Sequence, residues 1–223
     1  MLSNHDIRRY VDRYGTSENK DQVAKLMSAL YLTLRGSAIM YYGEEIGMEN
    51  NDPKRVEDVK DVIGQKGWPK EIGRDGERTP MQWNSSVNAG FNKSAKPWLP
   101  VDPNYTTHNV ATEGADPDSI LNWYRQLTKL RRGDSAFYEG DYVALDENNP
   151  NTMSYLRRSK NDAALVFLNF TAEPQTISLD AAKVGSSSGH VIAATSPGTK
   201  NKKVDFSNIS LEPYGVVIAE VQR

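Results

Sequence analysis

Lys20-Asp21-Gln22-Val23-Ala24-Lys25-Leu26-Met27-Ser28-Ala29-Leu30-Tyr31-Leu32-Thr33-Leu34-Arg35 decides the reading of the first half of the chain. Val23, Leu26, Met27, Leu30, Tyr31 and Leu34 recur at steps of three and four, which puts them on one face of an amphipathic helix. Gly36 is a suitable stop, because glycine tolerates the left-handed conformation that follows a helix C-terminus. On the N-terminal side, Met1-Leu2-Ser3 reads as the end of a short buried strand. On the C-terminal side, Ser37–Tyr42 is an apolar run of strand length closed by Gly43. Strand, helix, strand in that order is a βαβ unit and favours a parallel sheet.

Working outward, Asn4-His5-Asp6 would lie at the C-terminal end of the first strand, where parallel α/β barrels place their site residues. Glu44 to about Thr112 is long, irregular and rich in Gly, Pro, Asn and Trp, with a short helix expected at Val56–Ile63. Unstructured loops this long are uncommon unless they are functional or packed on themselves. A second helix is expected from Asp116-Pro117-Asp118, with Asp116 as N-cap and Pro117 in the first turn. Its apolar stripe is Ile120, Leu121, Tyr124, Leu127 and Leu130. Lys129, Arg131 and Arg132 complement the helix dipole near its end, and Gly133 serves as the stop.

After about Phe137 the pattern changes to short strands between turns: Tyr142–Leu145, Thr152–Arg158, Ala163–Asn169, Gln175–Leu179, His190–Ala194, Val204–Phe206, Ile209–Leu211 and Val216–Val221. Regular short strands with turn signals indicate an antiparallel sandwich. Gly185–Gly189 contains only Gly and Ser and reads as a surface loop. The fold class is therefore α/β plus all-β, with an α/β part at 1–136 and a β domain at 137–223.

Composition narrows the function classes. The 223 residues carry a net charge of −2, with 38% hydrophobic and 25% charged residues. This balance gives no reason to expect a nucleic-acid or membrane partner, which usually requires a basic excess. Without cysteine there is neither a disulfide framework nor thiolate chemistry, which fits a cytoplasmic location. No apolar run approaches the ~20 residues that span a bilayer, and no signal peptide is visible.

Three stretches carry chemistry: Asn4-His5-Asp6 with Arg9, Tyr41-Tyr42-Gly43-Glu44-Glu45-Ile46-Gly47, and Gly73-Arg74-Asp75-Gly76-Glu77-Arg78-Thr79-Pro80-Met81-Gln82-Trp83. By itself Asn-His-Asp also fits a turn whose Asp caps a helix. A carboxylate beside a developing positive charge does electrostatic work, and a neighbouring imidazole can donate to a hydroxyl. Glu44 and Glu45 are rejected as a catalytic pair, because neighbours on an extended segment point to opposite sides. Guanidinium is always charged and forks onto two acceptors. Arg74 and Arg78 could instead hold the loop through carboxylates such as Asp75 and Glu77, an alternative that is as good for Arg74. Trp83, Phe91, Trp98 and Tyr105 could line a ligand cleft, although burial beneath the loop is the plainer expectation for most. His108 and His190 are isolated and show no metal-ligand spacing. The acidic stretch Glu49–Asp61 lacks a calcium-loop pattern and reads as a solvated face.

In this order the three stretches resemble the C-terminal part of a family 13 (α-amylase family) glycoside hydrolase, on its α-glucosidase and oligo-1,6-glucosidase branch. The resemblance runs through essentially all 223 residues. It implies that Leu2–Asp6 ends the seventh strand of a (β/α)8 barrel and that Ser37–Met48 is the eighth strand with its loop. The C-terminal strands then form the family's β-sandwich domain. It also implies that Asp6 is the transition-state-stabilising carboxylate and that His5 contacts the sugar. Arg78 would reach the non-reducing-end glucose, with Arg74 as a second candidate. Asn4 would be structural, and Arg9 would pair locally.

A full barrel takes about 250 residues, and retaining glycoside hydrolysis needs a nucleophile and an acid/base carboxyl group. The family carries those two on its fourth and fifth strands, which have no counterpart here. The resemblance thus implies the C-terminal portion of a retaining enzyme acting on α-glucosidic bonds of oligosaccharides, inactive alone. Its expected partners are an α-glucoside and either the N-terminal barrel portion or a second copy of the chain. No cofactor or metal is implied. The alternative is a non-catalytic scaffold or carbohydrate-binding module derived from the same family.

Overall fold

Helices and turns dominate the first part of the chain and strands the last part, in a computed structural model that describes residues 2–221. The chain divides into two units, Met1–Ala24 with Ile39–Asn122, and Lys25–Ala38 with Trp123–Arg223. The short helix α1 (Tyr10–Tyr14) is followed by α2 (Lys20–Thr33). Gly36 takes the expected left-handed conformation, with φ of 106°. The face that α2 buries most deeply overlaps the expected stripe only in part. Val23 and Leu26 are buried as expected, together with Ala24, Ser28, Ala29, Leu32 and Thr33, while Met27, Leu30, Tyr31 and Leu34 are half-buried. Small residues add little to a hydrophobic periodicity, yet they permit the closest packing.

Neither apolar run flanking α2 is a strand. Leu2 and Ser3 join no ladder, Asn4 makes only an isolated bridge to Ile7, and Met1 lies outside the described residues. Ser37–Tyr42 is irregular, and Ile39 and Met40 are 57% and 46% exposed. A strand exists only through the neighbour that completes its hydrogen bonds. Among the described residues, all strand pairing is antiparallel.

The middle of the chain is a series of single turns. Three-residue 3-10 turns occupy Glu44–Ile46, Val56–Asp58 and Gly76–Arg78. Further 3-10 turns cover Val87–Gly90 and Pro103–Thr106. The single helix expected at Val56–Ile63 is replaced by the 3-10 turn and by α3 (Val62–Gly67), because the Asp61 side chain caps the later start by accepting from Ile63 N. Helix α4 (Val110–Ala115) is capped by Asn109.

Helix α5 (Ile120–Gly133) begins later than expected. Asp116 is not its N-cap, and instead Asp116–Ser119 form a turn closed by Ser119 N donating to Asp116 O at 3.2 Å. Ser119 Oγ takes the capping role, accepting from Asn122 N at 3.1 Å. Gly133 is the last helical residue rather than a left-handed stop. The expected stripe is otherwise found: Ile120, Leu121, Tyr124 and Leu127 are buried and Leu130 is half-buried.

A single-turn helix α6 (Ser135–Tyr138) leads to β1 (Asp141–Ala144), β2 (Thr152–Arg158), β3 (Ala163–Asn169) and β4 (Gln175–Ile177). Then come α7 (Ala181–Val184), β5 (Ser188–Ala194), β6 (Lys203–Asp205), β7 (Ile209–Leu211) and β8 (Val216–Val221). The larger sheet has the order β1-β2-β3-β8-β5-β6, and β4 pairs with β7. Both sheets share one core, in which Leu156, Phe167 and Val217 meet Ile177, Ile209 and Leu211. This is the expected antiparallel β domain. Ser188 and Gly189, expected in a loop, open β5. Gly189 faces Val221, where a Cβ would stand 2.0 Å from Glu220 O, so only glycine fits the ladder there. No helix among the described residues is long and apolar enough to cross a membrane.

Candidate active site

Asn4 begins the site by making a turn. Its Oδ1 accepts from Asp6 N at 2.7 Å, the short polar side chain standing in for a backbone acceptor. Asp6 does not cap a helix, since α1 starts at Tyr10 with Arg9 as its N-cap. The Asp6 carboxylate instead collects cations. Arg74 Nη1 donates to Asp6 Oδ1 at 2.7 Å and Arg78 Nη2 to the same oxygen at 3.0 Å. His5 Nε2 lies 3.2 Å from Asp6 Oδ2. Arg78 Nε donates to His5 O at 2.8 Å. His5, Asp6, Arg74 and Arg78 are thus brought into one exposed cluster.

The loop carrying the arginines is anchored by other carboxylates than those expected. Arg74 forks onto Asp61, with Nε 2.7 Å from Oδ2 and Nη2 3.1 Å from Oδ1, while Arg74 N donates to Oδ2 at 2.9 Å. That guanidinium holds the Asp61 carboxyl well below the usual carboxylate range. Asp75 accepts backbone donors instead, Lys60 N at 2.6 Å and Asp61 N at 3.0 Å. The Glu77 carboxylate accepts from Asn50 Nδ2 at 3.1 Å, and its burial pushes its pKa up. Gly76, between them, faces Asp52: a Cβ there would stand 2.1 Å from Asp52 Oδ1.

Arg9 does not pair locally, as expected from the motif, but ties distant segments together. It is buried, donates from Nη1 to Tyr42 O at 2.7 Å and from Nη2 to Glu77 O at 3.1 Å, and lies over the rings of Tyr41 and Tyr42. Tyr41 and Tyr42 also donate their hydroxyls to this loop, Tyr41 to Glu77 O at 3.1 Å and Tyr42 to Thr79 O at 2.6 Å. Sequence reasoning assigned the tyrosines no role. Their adjacency before Gly43 was the available signal.

Glu44 and Glu45 are not on an extended segment. They open a 3-10 turn bracketed by Gly43 and Gly47 in left-handed conformations, with φ of 83° and 64°. Glu44 Oε2 accepts from Tyr41 N at 3.1 Å, a structural use. The acidic stretch is also not a simple solvated face, because Glu49 pairs with Lys20, Asp52 with Arg8 and Asp61 with Arg74. His108 pairs with Asp21 at 3.1 Å, which raises its pKa. His190 lies on β5 opposite Lys203. Among the described residues, no group of three or more His, Cys, Asp or Glu could hold a metal ion.

The loop aromatics are not buried as expected. Trp83, Phe91 and Trp98 are 49%, 50% and 76% exposed, and Tyr105 is half-buried. Phe91 and Trp98 line a cavity of about 380 Å³ together with Tyr42, Met81 and Arg78.

Residues 1–140 match the model of the alpha amylase catalytic domain, and residues 142–218 match that of the maltogenic amylase C-terminal domain. The chain is 37% identical over 188 residues to a probable oligo-1,6-glucosidase 2 of Bacillus subtilis, covering 76% of this chain and 33% of the relative. It is 35% identical over 195 residues to a glucan 1,6-alpha-glucosidase of Streptococcus pneumoniae, covering 80% and 36%. The isomaltulose synthase of Erwinia rhapontici, solved as a mutant with D-glucose, superposes with a TM-score of 0.84 at 31% identity, over 100% of this chain and 42% of that one. The trehalulose synthase of Pseudomonas mesoacidophila superposes with a TM-score of 0.84 at 30% identity, over 99% and 42%. The chain spans about a third of the length of the curated relatives it matches. Its motifs and these matches together identify it as a member of the alpha-amylase family of glycoside hydrolases.

Proposed function

We propose that this chain supplies one wall of the sugar site of a retaining α-glucosidase-type enzyme acting on α-glucosidic bonds of oligosaccharides. The observation that carries the reading is the attachment of Arg74 and Arg78 to one oxygen of Asp6, beside His5. Glycoside hydrolysis passes through an oxocarbenium-like transition state, and hydrogen bonds to the ring hydroxyls strengthen as that charge develops. Asp6 is the carboxylate that stabilises the charge, and His5 donates to a hydroxyl of the same ring. Arg78 holds the non-reducing-end glucose, and Arg74 fixes the position of Asp6 from its anchor on Asp61.

The nucleophile and the acid/base group come from residues outside 1–223, so the chain alone does not turn over substrate. Relatives of which the matched part covers only about a third support this division. On the same reading, Leu2–Asp6 ends the seventh barrel strand and Ser37–Met48 is the eighth strand with its loop, and these become strands once their neighbours are present. The barrel part ends near residue 136 and the β domain follows.

The test is hydrolysis of 4-nitrophenyl α-glucoside by the purified chain, alone and mixed with the complementary N-terminal portion of the Bacillus subtilis relative. Asp6→Asn is run in parallel. No turnover alone is expected, with turnover in the mixture that Asp6→Asn lowers by about a hundredfold or more. Turnover by the chain alone would overturn the division of labour. Turnover in the mixture that ignores Asp6→Asn would overturn the role of Asp6.

A further inference from the structure

The outer side of α5 carries like charges from which the helix itself gains nothing. Arg125, Lys129 and Arg132 recur at steps of four and three, so they stand on one face, and all three are exposed. Like charges four residues apart destabilise a helix. The helix dipole favours cations in the last turn, but its effect fades beyond that turn and does not reach Arg125. Carboxylate neighbours would offset the repulsion, yet among the described residues Lys129 and Arg132 form no ion pair. The chain as a whole has a net charge of −2, so a basic composition does not account for the cluster.

These three cations line a cavity of about 440 Å³ whose wall contains no carboxylate. A second cavity, of about 320 Å³, adjoins it, with Lys129 and Gly133 in the wall of both. There a fourth cation arrives from another element: Lys200, between β5 and β6, with Leu130 and Ile192 as apolar wall. Gln126 Nε2 donates to Ile192 O at 3.2 Å, which ties α5 to β5 at this cavity. The one carboxylate in this lining, Asp134, accepts from Ala136 N at 2.8 Å as the N-cap of α6. All of these residues belong to one unit of the chain. Each cavity falls within the size range of small-molecule sites, about 300–1,000 Å³.

The lining sets the class of ligand. A carboxylate would bring one negative charge to three cations, whereas a phosphate monoester brings about −1.5 to −2 at pH 7. Guanidinium groups fork onto phosphate oxygens, and an ammonium adds a point charge. Leu130 and Ile192 then offer apolar surface to the carbon body of the ester. We infer that α5 and the segment between β5 and β6 form a binding site for a small organic phosphate monoester. Arg125, Lys129 and Arg132 hold its phosphate, its body lies against Leu130 and Ile192, and Lys200 contributes further positive charge.

The test is a phosphorus NMR titration of the full 223-residue chain with phenyl phosphate and with inorganic phosphate, at constant ionic strength. Phenyl phosphate is expected to bind more tightly than inorganic phosphate, by about threefold or more. Lys129→Gln is expected to weaken both probes about tenfold. Ile192→Thr is expected to weaken phenyl phosphate about threefold and to leave inorganic phosphate unchanged. Lys66→Gln, which removes an exposed lysine of α3, is expected to change neither. Should Lys129→Gln lower the urea midpoint, Arg132→Gln carries the same expectation. Absence of saturable binding of phenyl phosphate, or binding that the loss of Lys129 leaves unchanged, would overturn the inference. Equal affinity for the two probes would overturn the part played by the second cavity. A loss in Lys66→Gln as large as in Lys129→Gln would show general charge attraction in place of a site.

Discussion

Arg74 shows what a single side chain does in this molecule. Its planar fork reaches Asp61 through Nε and Nη2 while Nη1 remains for Asp6. A lysine would offer one point charge and could not hold both carboxylates in fixed geometry. The pairing has a consequence for stability. Because Arg74 depresses the Asp61 pKa in the folded state, the unfolded chain binds the proton more readily. The stabilisation is fully present above the unfolded Asp value of about 3.9 and is lost as pH falls from there through the folded value. Asp61→Asn keeps an oxygen to cap α3 but removes the titration. The urea midpoint, followed between pH 7 and pH 3, is expected to fall less steeply with acid in this variant than in the parent. An unchanged slope would show that other carboxylates govern acid unfolding.

At the scale of the element, the start of α5 is decided by side chains that compete for the same backbone donors. Asp116-Pro117 is a suitable helix opening, yet Asp116 Oδ1 accepts from Asp118 N and closes a turn instead. Ser119 Oγ accepts from Asn122 N and donates to Glu113 O at 2.7 Å, and the Glu113 carboxylate accepts from Leu121 N at 2.9 Å. A negative charge at a helix N-terminus is favourable, so α4 and α5 cap one another. Ser119→Ala is expected to cost about 1 kcal/mol by chemical denaturation, and Asp116→Ala less. The reverse order would return the cap to Asp116.

At the scale of the whole molecule, each of the two units is closed by a buried arginine that reaches across long sequence separations. In the first, Arg9 joins the His5–Asp6 turn to Tyr42 and Glu77. In the second, Arg157 on β2 donates to the carbonyls of Thr33, Phe137, Gly140 and Asp141. Burial lowers its pKa, since desolvation opposes the charge. Its loss would leave buried carbonyls unsatisfied, each costing about 1–3 kcal/mol. Arg157→Met, which keeps the bulk, is therefore expected to destabilise the protein by roughly 3 kcal/mol or more in urea unfolding. A loss below about 1 kcal/mol would mean that water replaces the guanidinium.

Elements whose stability is local are legible in the residues alone. The strands Thr152–Arg158, Ala163–Asn169, Ile209–Leu211 and Val216–Val221 lie where alternation and turn residues put them. Gly36 ends α2 as its freedom from a Cβ allows. His5, Asp6, Arg74 and Arg78 could be picked out as a set from their motifs, before any contact was known. Which of them meet, and through what, is set by packing between distant segments. That Arg74 pairs with Asp61 rather than Asp75, and that Arg9 bridges to Glu77, depends on where distant loops pack. Phe91 and Trp98 are exposed, and composition gives no sign of that. The apolar runs at Leu2–Ser3 and Ser37–Tyr42 carry strand-like residues without forming strands. Apolar content is a property of the residues, whereas a ladder is a property of two chain segments.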